Sequence, residues 1–350
     1  MFHNAYINKI GCAVPRHDFH RKFIDFAPLL LADDREKGLF RRMADRSQIE
    51  HRYSFLKPSA NPCEIDGEGF YRRGAFADTG QRMDRYDTEA LLLASGAVAE
   101  LGRQDFSHLI VASCTGFAAP GIDVQILEHL RLPSSVERTV VGFMGCSAAI
   151  PALRLARHIV RSDREARVLV LAVELCSLHF QESRRLDEVL SFLLFADGCA
   201  AAIVSAEPSG LEMIDFSSAI LPDTSDYITW RVGASGFEMH LSGQVPSAIR
   251  NHLPGTLPVL LSGMERQHIT LWAIHPGGRT ILDAVEGGLG IPHDALCCSR
   301  RVLRDYGNMS SATILFVLRD MMDHSDSGQG CAMAFGPGIA AETMTFSARG

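Results

Sequence analysis

A cysteine between a strand pattern and a helix pattern is the first residue of this chain that could do covalent chemistry. The segment VVGFMGCSAAIPALRLARHIV predicts a buried strand, a glycine-containing turn, then Cys146 and small residues that open an amphipathic helix. A thiol there lies near the positive end of the helix dipole, which predicts a lowered pKa and a reactive thiolate. The small neighbours let a carbonyl group approach the sulfur. The alternative is a buried structural cysteine, the commoner fate of a single cysteine.

Two further polar residues stand at similar strand-to-helix junctions. LWAIHPGGRTILDAV places His275 after an apolar strand, where an imidazole can reach a cleft and keep one ring nitrogen on a main-chain partner. RDYGNMSSATILFVL places Asn308 just before another apolar helix. Taken singly, His275 is also consistent with a satisfied loop histidine, and Asn308 and Ser310 with an N-cap pair.

Together the three groups have a chemical logic. A thiolate can accept an acyl group, and a protonated histidine beside it stabilises the negative sulfur. Histidine and asparagine can then donate hydrogen bonds to the thioester oxygen of a malonyl unit, which favours loss of carbon dioxide because the enolate formed is anionic. That enolate can attack the acyl-cysteine carbonyl and form a carbon–carbon bond. The chemistry requires no metal and no redox cofactor.

The elements that must position these residues alternate between strand and helix. Predicted strands lie at 108–116, 137–143, 167–175 and 199–205, and predicted helices at 123–132 and 147–161. The strand patterns are apolar enough to be buried on both faces, which is typical of a layered α/β fold. A second cycle of strands and helices follows the polar turn AEPSG at 206–210. The sequence therefore predicts an α/β protein in two parts, residues 1–206 and 207–350.

Composition and charge exclude several other classes. The chain has 350 residues, 47% hydrophobic and 21% charged, and its formal net charge of −7 offers no basic excess for nucleic acid. No apolar run is long enough for a membrane span, and the N-terminus lacks the pattern of a secretory signal. The nine cysteines form no CxxC pair and no cluster with histidines at zinc-ligand spacing. We expect a reduced, cytoplasmic protein without a metal site.

Four motifs give the chain a specific resemblance. In their order and settings, GCSAA, IHPGGRTILDAVE, YGNMSSA and the closing AFGPG resemble the chalcone and stilbene synthases, the type III polyketide synthases. SCTGFAAPG resembles the bacterial branch of that family. The resemblance covers nearly the whole chain. It implies a thiolase-like layered αβαβα fold made of two halves related by a pseudo-dyad, a homodimer, coenzyme A (CoA) thioesters as substrates, and no separate cofactor.

The same resemblance assigns roles to particular positions. It implies that Cys146 carries the acyl group, and that His275 and Asn308 serve decarboxylation and the oxyanion. Phe195 matches the gatekeeping phenylalanine between the CoA tunnel and the cavity, and Met239 departs from a second tunnel phenylalanine. The remaining matches are to the CoA phosphate site, at Arg42 and Arg46, and to the cavity, at Cys114, Cys176, His179, Trp230, Ser310, Gly336, Pro337 and Gly338.

Some of these positions also have plain structural interpretations. Phe195 is consistent with a core aromatic at a helix end. Arg42 and Arg46 are consistent with a solvated charge run, although the planar donor fork of arginine suits phosphate. Trp230 stands at a position that is small in chalcone synthase, so its bulk predicts a narrower cavity that disfavours a large aromatic starter.

The function implied by the resemblance is a type III polyketide synthase. Such an enzyme loads an acyl-CoA starter on Cys146, extends it with malonyl-CoA and cyclises the short polyketide to a pyrone, a resorcinol or a related phenol. A ketoacyl synthase of the third class would use the same three groups for one condensation with an acyl-carrier protein, and would need a basic patch at the tunnel mouth. A non-catalytic acyl-CoA-binding homologue would have no chemical need to keep all three groups.

Overall fold

The computed structural model describes residues 3–103, 105–324 and 327–348. The helices in these ranges are α1 (His20–Phe26), α2 (Asp34–Arg46), α3 (Thr79–Ala99), α4 (Ile122–His129), α5 (Ala149–Ser162), α6 (Leu186–Ser191), α7 (Val245–Leu260), α8 (Arg279–Leu289), α9 (Cys297–Tyr306) and α10 (Thr313–Asp323). The strands are β1 (Tyr6–Ala13), β2 (His17–Asp18), β3 (Tyr53–Ser54), β4 (Tyr71–Arg72), β5 (Ala75–Phe76), β6 (His108–Ser113), β7 (Glu137–Gly142), β8 (Val168–Leu175), β9 (Asp197–Ser205), β10 (Leu211–Ile220), β11 (Ile228–Gly233), β12 (Gly236–Leu241), β13 (Leu271–Ile274), β14 (Gly328–Gly336) and β15 (Ala340–Ala348). None of the helices described is both long enough and apolar enough to cross a bilayer.

Nine of the strands form one sheet whose order repeats itself. The order is β13-β14-β15-β10-β1-β9-β8-β6-β7. The N-terminal half runs from β1 to β9 and the C-terminal half from β10 to β15. In each half the first strand pairs with the last one, and the last one pairs with the strand that precedes it in the chain, which gives β1-β9-β8 and β10-β15-β14. The halves meet where Tyr6 and Ile7 of β1 pair with Glu212 and Leu211 of β10. The predicted division after residue 206 falls in the turn between β9 and β10.

Three apolar clusters show the layers. The central cluster contains α5, α10 and inward-facing side chains from strands of both halves. A second cluster packs α1 and α3 on the outer face of the N-terminal half, and a third packs α7 and α8 on the outer face of the C-terminal half. Along β8, Val168 and Val170 point into the central cluster, whereas Leu169 and Leu171 point into the outer one. These strands are buried on both faces, and the predicted αβαβα layering is confirmed.

One predicted strand is much less buried than expected. The segment 137–143 was predicted to be a buried strand, but β7 is the last strand of the sheet and most of its side chains are exposed, including Val140 at 54%. Within a single chain the prediction of burial is wrong, because an apolar strand pattern does not show whether the same chain covers the strand.

The two central helices begin side by side. Short 3-10 turns at Gly145–Ser147 and Ser310–Ala312 lie just before α5 and α10. These two turns pack against each other at the centre of the molecule. The layering thereby brings together Cys146 and the segment that follows Asn308, although about 160 residues separate them along the chain.

Candidate active site

Cys146 is presented by a tight turn between β7 and α5. Phe143 and Gly145 both have left-handed backbone angles, with φ of 57° and 63°. A side chain at Gly145 would also place its Cβ 2.5 Å from Cδ of Pro337, so both the angle and the space require glycine there. The turn leaves the Cys146 side chain half-buried in the wall of a cavity of about 700 Å³.

The main chain of Asn308 is bonded to the segment that carries Phe195. The Asn308 N–H donates to the Leu194 carbonyl at 2.8 Å, and the Asn308 carbonyl accepts from the Ala196 N–H at 2.9 Å. This short parallel bridge joins the N-terminal half to the C-terminal half. It fixes the gatekeeper position and the asparagine relative to each other.

The side chain of Asn308 is oriented by two further hydrogen bonds. Its oxygen accepts from the Ser310 N–H at 2.9 Å, and its Nδ2 group donates to the Gly277 carbonyl at 3.3 Å. The Cys146 sulfur lies 4.0 Å from the same side-chain oxygen. One Nδ2 hydrogen therefore remains for a ligand, and the carboxamide cannot flip without losing both bonds.

His275 follows β13 and is buried, with 1% of its surface exposed. Its main-chain N–H donates to the Met333 carbonyl at 2.8 Å, which continues the pairing of β13 with β14. Neither ring nitrogen has a hydrogen-bond partner among the described residues, so the main-chain partner predicted for one of them is not found. An unpaired buried imidazole is costly, and such groups in folded proteins mark places where a ligand completes the bonding.

Burial controls the protonation of both groups. It raises the pKa of the Cys146 thiol to about 11 and lowers the pKa of His275 to about 3. At neutral pH the unliganded site therefore holds a thiol and a neutral imidazole. The lowered cysteine pKa predicted from the helix dipole is wrong, because removing the thiolate from water outweighs the dipole of a helix that begins three residues later.

Most of the predicted site residues meet in the same cavity. Those in its lining are Arg46, Cys114, Cys146, Cys176, Phe195, Trp230, Met239, His275, Asn308, Ser310, Gly336 and Pro337. Arg42, His179 and Gly338 are not in the lining. The arrangement joins a nucleophile, a base and fixed hydrogen-bond donors in one chamber, which is a constellation suited to acyl transfer.

Comparisons with known proteins identify the family. The models of the N-terminal and C-terminal domains of the chalcone and stilbene synthases match residues 4–208 and 212–348. The chain belongs to the chalcone and stilbene synthase family. It is therefore a polyketide synthase, an acyltransferase that forms carbon–carbon bonds by condensation, of a family that in general uses malonyl-CoA and acyl-CoA substrates.

Individual relatives agree with this assignment. The synthase is 37% identical over 339 residues to the alpha-pyrone synthesis polyketide synthase-like Pks18 of Mycobacterium tuberculosis, which covers 90% of this chain and 86% of that protein. Its structure resembles the C-terminal type III polyketide synthase domain of Steely1 from Dictyostelium, with 25% identity, a TM-score of 0.88 and 99% of both chains covered. It also resembles PKS-I of the brown alga Ectocarpus siliculosus, with 26% identity, a TM-score of 0.85, and 100% of this chain and 99% of that chain covered. The predicted family and thiolase-like fold are confirmed.

His179 of the synthase lies behind the cavity wall. Its ring is fully buried, donates from Nε2 to the Thr115 carbonyl at 2.7 Å and accepts at Nδ1 from the Phe237 N–H at 3.0 Å. It stacks on the Phe237 ring at 4.1 Å, and both rings meet Trp230 edge-on. The histidine therefore supports Trp230, which does line the cavity.

The mouth of the cavity holds two arginines, only one of which was predicted. Arg46 lines the cavity, whereas Arg42, one helical turn earlier on α2, does not, and both side chains are exposed. Arg279, the first residue of α8, also lines the cavity and lies 3.6 Å from Asp283. The sequence could have indicated Arg279, because it directly follows the Gly-Gly turn after His275. A residue at that helix start is close enough to line the same cavity as His275.

Apolar residues that were not singled out complete the walls. Leu39 and Met43 are exposed apolar residues of α2, and with Arg46 they follow helical spacing along one face. On the opposite wall, the hairpin β11–β12 pairs Trp230 directly with Met239. Met239 therefore acts together with Trp230 in shaping the cavity.

Proposed function

We propose that the synthase loads an acyl-CoA starter on Cys146, extends it by decarboxylative condensation with malonyl-CoA, and cyclises the short polyketide to a pyrone, a resorcinol or a related phenol. The main support is the convergence of Cys146, His275 and Asn308, from both halves of the chain, on one cavity. The name of the relative Pks18 includes alpha-pyrone synthesis, so a pyrone is the first product to test for.

Acyl loading begins with a proton transfer. Neutral His275 takes the proton of the Cys146 thiol, and the thiolate attacks the thioester carbonyl of the starter. The bond from carbonyl carbon to CoA sulfur breaks, and the CoA thiolate takes the proton from the imidazolium. The products are acyl-Cys146 and free CoA, with His275 neutral again. Since the nucleophile must remain a free thiol, the proposal includes a reducing compartment such as the cytoplasm.

Decarboxylation uses the two neutral donors. A His275 N–H and the free Nδ2 hydrogen of Asn308 donate to the thioester oxygen of malonyl-CoA. The bond to the carboxylate breaks, carbon dioxide leaves, and its electron pair forms an enolate whose charge both donors stabilise. The enolate carbon attacks the acyl-Cys146 carbonyl, the bond to sulfur breaks, and Cys146 leaves as a thiolate that takes up one proton from water. The lengthened chain is then a CoA thioester, which can return to Cys146 by the loading route.

The shape of the cavity supports a chain of limited size. Its volume of about 700 Å³ lies within the range of sites that enclose a small molecule. Trp230, beside Met239 on the hairpin β11–β12, lines it with a bulky side chain, which disfavours a large aromatic starter. Arg46 at the mouth supplies a planar donor fork for the phosphates of CoA.

Product analysis tests the proposal. The purified protein is incubated with malonyl-CoA and a series of starters from acetyl-CoA to long-chain acyl-CoA, and the products are analysed by mass spectrometry. We expect cyclised products of two or more condensations, and none from Cys146→Ala. A linear β-ketoacyl product formed only with an acyl-carrier protein would support the single-condensation alternative instead. Acyl-CoA binding without any product would support the non-catalytic one.

A homodimer is part of the proposal. Within the described residues β7 has a partner strand on one side only, and Val140 and Phe143 next to this edge are 54% and 51% exposed. Exposed apolar strand edges are positions where a second copy can pair. We expect light scattering to show a dimer for the wild type and a monomer for Val140→Lys. Val259→Lys is the matched control on α7, where an equally exposed valine is expected to accept lysine without dissociation.

A further inference from the structure

The first turn of α3 contains a fully buried arginine. Arg82 has 0% of its surface exposed. Its Nε donates to the Ala77 carbonyl at 2.7 Å, and its Nη1 donates to the Leu178 and Phe180 carbonyls at 2.5 and 3.0 Å. A guanidinium keeps its charge inside a protein, and burying a charge is costly unless the group is hydrogen-bonded. These bonds therefore tie α3 firmly to residues 178–180.

Residues 178–180 carry the histidine that lies behind the cavity wall. The two carbonyls that accept from Arg82 flank His179, whose ring accepts from the Phe237 N–H at 3.0 Å and stacks on the Phe237 ring at 4.1 Å. The His179 ring also meets Trp230 edge-on at 5.6 Å. Arg82 is not among the described residues that line the cavity, so its influence on the wall passes through these rings.

The same turn of α3 also holds the tip of the hairpin β11–β12. The Thr79 hydroxyl donates to the Gly233 carbonyl at 2.5 Å and accepts from the Gly236 N–H at 2.8 Å. Gly236 has a left-handed φ of 88°, and a Cβ there would lie 2.8 Å from Cδ of Arg82. The tip of the hairpin therefore packs directly on the arginine side chain. We call Thr79 and Arg82 together the α3 clamp.

The hairpin carries two residues of the cavity wall. Trp230 and Met239 are paired on its adjacent strands, and both line the cavity. The indole Nε1 of Trp230 is buried and has no hydrogen-bond partner among the described residues, so no polar contact of the side chain fixes the ring. The orientation of the indole depends on the rings packed against it and on the position of the hairpin. The α3 clamp contacts both supports.

We propose that the α3 clamp sets the position of Trp230 and thereby limits the size of the starter that the synthase accepts. Thr79 and Arg82 are positioning residues, because they act through His179 and the hairpin rather than on the substrate. Holding the wall at two places keeps the indole in one orientation without a hydrogen bond to it. The effect on starters rests on the proposed function. The hold on Trp230 can be tested without any substrate.

Fluorescence of Trp230 tests this hold directly. The other tryptophan, Trp272, is buried in the outer core of the C-terminal half, and Trp272→Phe leaves Trp230 as the single tryptophan. In that background we expect the acrylamide quenching constant to rise about twofold in Arg82→Lys, because lysine lacks the planar fork that holds three carbonyls and the wall then opens more often.

Arg52→Lys, in the same background, is the matched control. Arg52 also has 0% of its surface exposed, and its Nη1 donates to the Phe192 and Phe195 carbonyls, both at 2.7 Å. These bonds do not reach the hairpin or residues 178–180, so the quenching constant of Trp230 is expected to stay at the wild-type value. An equal rise in both arginine variants would overturn the proposal, since the loss of any buried arginine would then loosen the wall.

Two variants of Thr79 decide the test even if Arg82→Lys does not fold. Thr79→Val keeps the shape of the side chain but loses the hydroxyl that holds Gly233 and Gly236, whereas Thr79→Ser keeps that hydroxyl. We expect the quenching constant of Trp230 to rise in Thr79→Val and to stay at the wild-type value in Thr79→Ser. Identical constants in these two variants overturn the proposal.

Competition between two starters measures the effect on starter size. Each protein is incubated with equal amounts of hexanoyl-CoA and cinnamoyl-CoA, and mass spectrometry of the intact protein gives the share of Cys146 that carries each acyl group. We expect the ratio of cinnamoyl to hexanoyl to rise about tenfold in Arg82→Lys, a size of effect that a change in pocket fit produces. The same direction is expected in Thr79→Val.

The competition also separates selection from stability. An unchanged ratio, with both acylation rates lowered alike, means that the α3 clamp only stabilises the fold, and this result overturns its role in starter selection. If no starter acylates Cys146 in the wild type, the proposed function has failed. The fluorescence of Trp230 then decides by itself whether the α3 clamp holds the wall.

Discussion

The turns before α5 and α10 occupy corresponding places in the two halves of the synthase, yet the proposed function gives them different chemistry. The first turn carries Cys146, the proposed nucleophile, and glycine takes its left-handed position at Gly145, with a φ of 63°. The second follows Asn308, and serine takes its left-handed position at Ser310, with a φ of 49°. The repeated topology supplies two equivalent helix starts, and the side chains at each start decide what it does.

The difference follows from what surrounds each turn. At Gly145 the ring of Pro337 leaves no room for a side chain. At Ser310 the N–H orients Asn308 and the hydroxyl faces the cavity, so a residue with a side chain is kept despite its unfavourable angle. The proposed function therefore gives acyl transfer to the first turn and decarboxylation to the second, where the Ser310 N–H orients Asn308.

Cys146→Ala separates the two assignments most strongly. We expect condensation to fall by about 10³-fold or more, since removing the nucleophile leaves only positioning. Decarboxylation of malonyl-CoA to acetyl-CoA is expected to continue, because it uses His275 and Asn308. Mass spectrometry of both products measures the two reactions in one sample. Polyketide formation near the wild-type rate would show that the acyl group is carried elsewhere.

Asn308→Ala is the reciprocal change. We expect decarboxylation to fall by about 10²- to 10³-fold, the usual effect of removing one donor from an oxyanion site. Loading of a starter on Cys146, seen as an increase in the mass of the intact protein, is expected to be retained. If loading is lost to the same degree, the two turns act as one unit and the division between them is wrong.

Glu174 connects the two turns and gives a pH test. It accepts from the Cys114 N–H at 3.0 Å, beside the first turn, and from the Ser311 hydroxyl at 2.5 Å in the second. Burial raises its pKa from 4.5 to about 7. Between these values the folded protein holds a proton that the unfolded chain releases. The contribution of Glu174 to stability is therefore complete below pH 4.5 and is lost as the pH rises through 7.

Glu174→Gln removes this titration. Relative to the wild type, the free energy of unfolding of the variant is expected to increase by about 3 kcal/mol from pH 4.5 to pH 7. Urea denaturation of both proteins at a series of pH values measures the difference, and other buried groups cancel in the comparison. A difference that does not vary with pH would mean that Glu174 titrates normally.

Gly145→Ala tests the first turn by stability. A Cβ there would meet Pro337 at 2.5 Å in a left-handed conformation, so we expect a loss of about 2–3 kcal/mol in the free energy of unfolding. Gly255→Ala is the control, because Gly255 lies inside α7 with open space around it and alanine favours helix there. Equal stabilities of the two variants in urea would contradict the steric account of the turn.

Ser310→Gly is the smallest of these effects. Glycine adopts the left-handed angle without its steric cost, which stabilises the folded protein, but it also makes the unfolded chain more flexible. The two contributions nearly cancel. We expect a change of no more than about 1 kcal/mol in the free energy of unfolding, measured in urea beside Gly145→Ala. A much larger loss would show that the Ser310 side chain holds the turn together, and would contradict this account of the second turn.

Much of the fold and of the site was predictable from local pattern. Apolar runs and helical spacing predicted the layered α/β fold, and the junctions around Cys146, His275 and Asn308 predicted three polar groups at strand-to-helix transitions. The predictions that failed depended on contacts between residues that are far apart in the sequence. The strand at 137–143 is apolar but uncovered, and His179 supports Trp230 from behind.

The protonation of the site was the other failure. A helix start near Cys146 predicted a thiolate, but the cost of removing the thiolate from bulk water raises its pKa to about 11. Similarly, the basic run on α2 did not show that Arg46 lines the cavity and Arg42 does not, since both side chains are exposed. Residue type and spacing show which residues share a face of a helix, but not what that face contacts in the folded protein.

The sequence by itself determined the family and the order of strands and helices, and it singled out Cys146, His275 and Asn308 as candidates for the chemistry, because these follow from residue types and their local spacing. Only the tertiary structure decided that Cys146 rests as a thiol, that the Asn308 oxygen faces it, and that Arg279 lines the same cavity as Arg46. Solvation and hydrogen bonding depend on groups that meet from distant parts of the chain, and those meetings exist only in the folded protein.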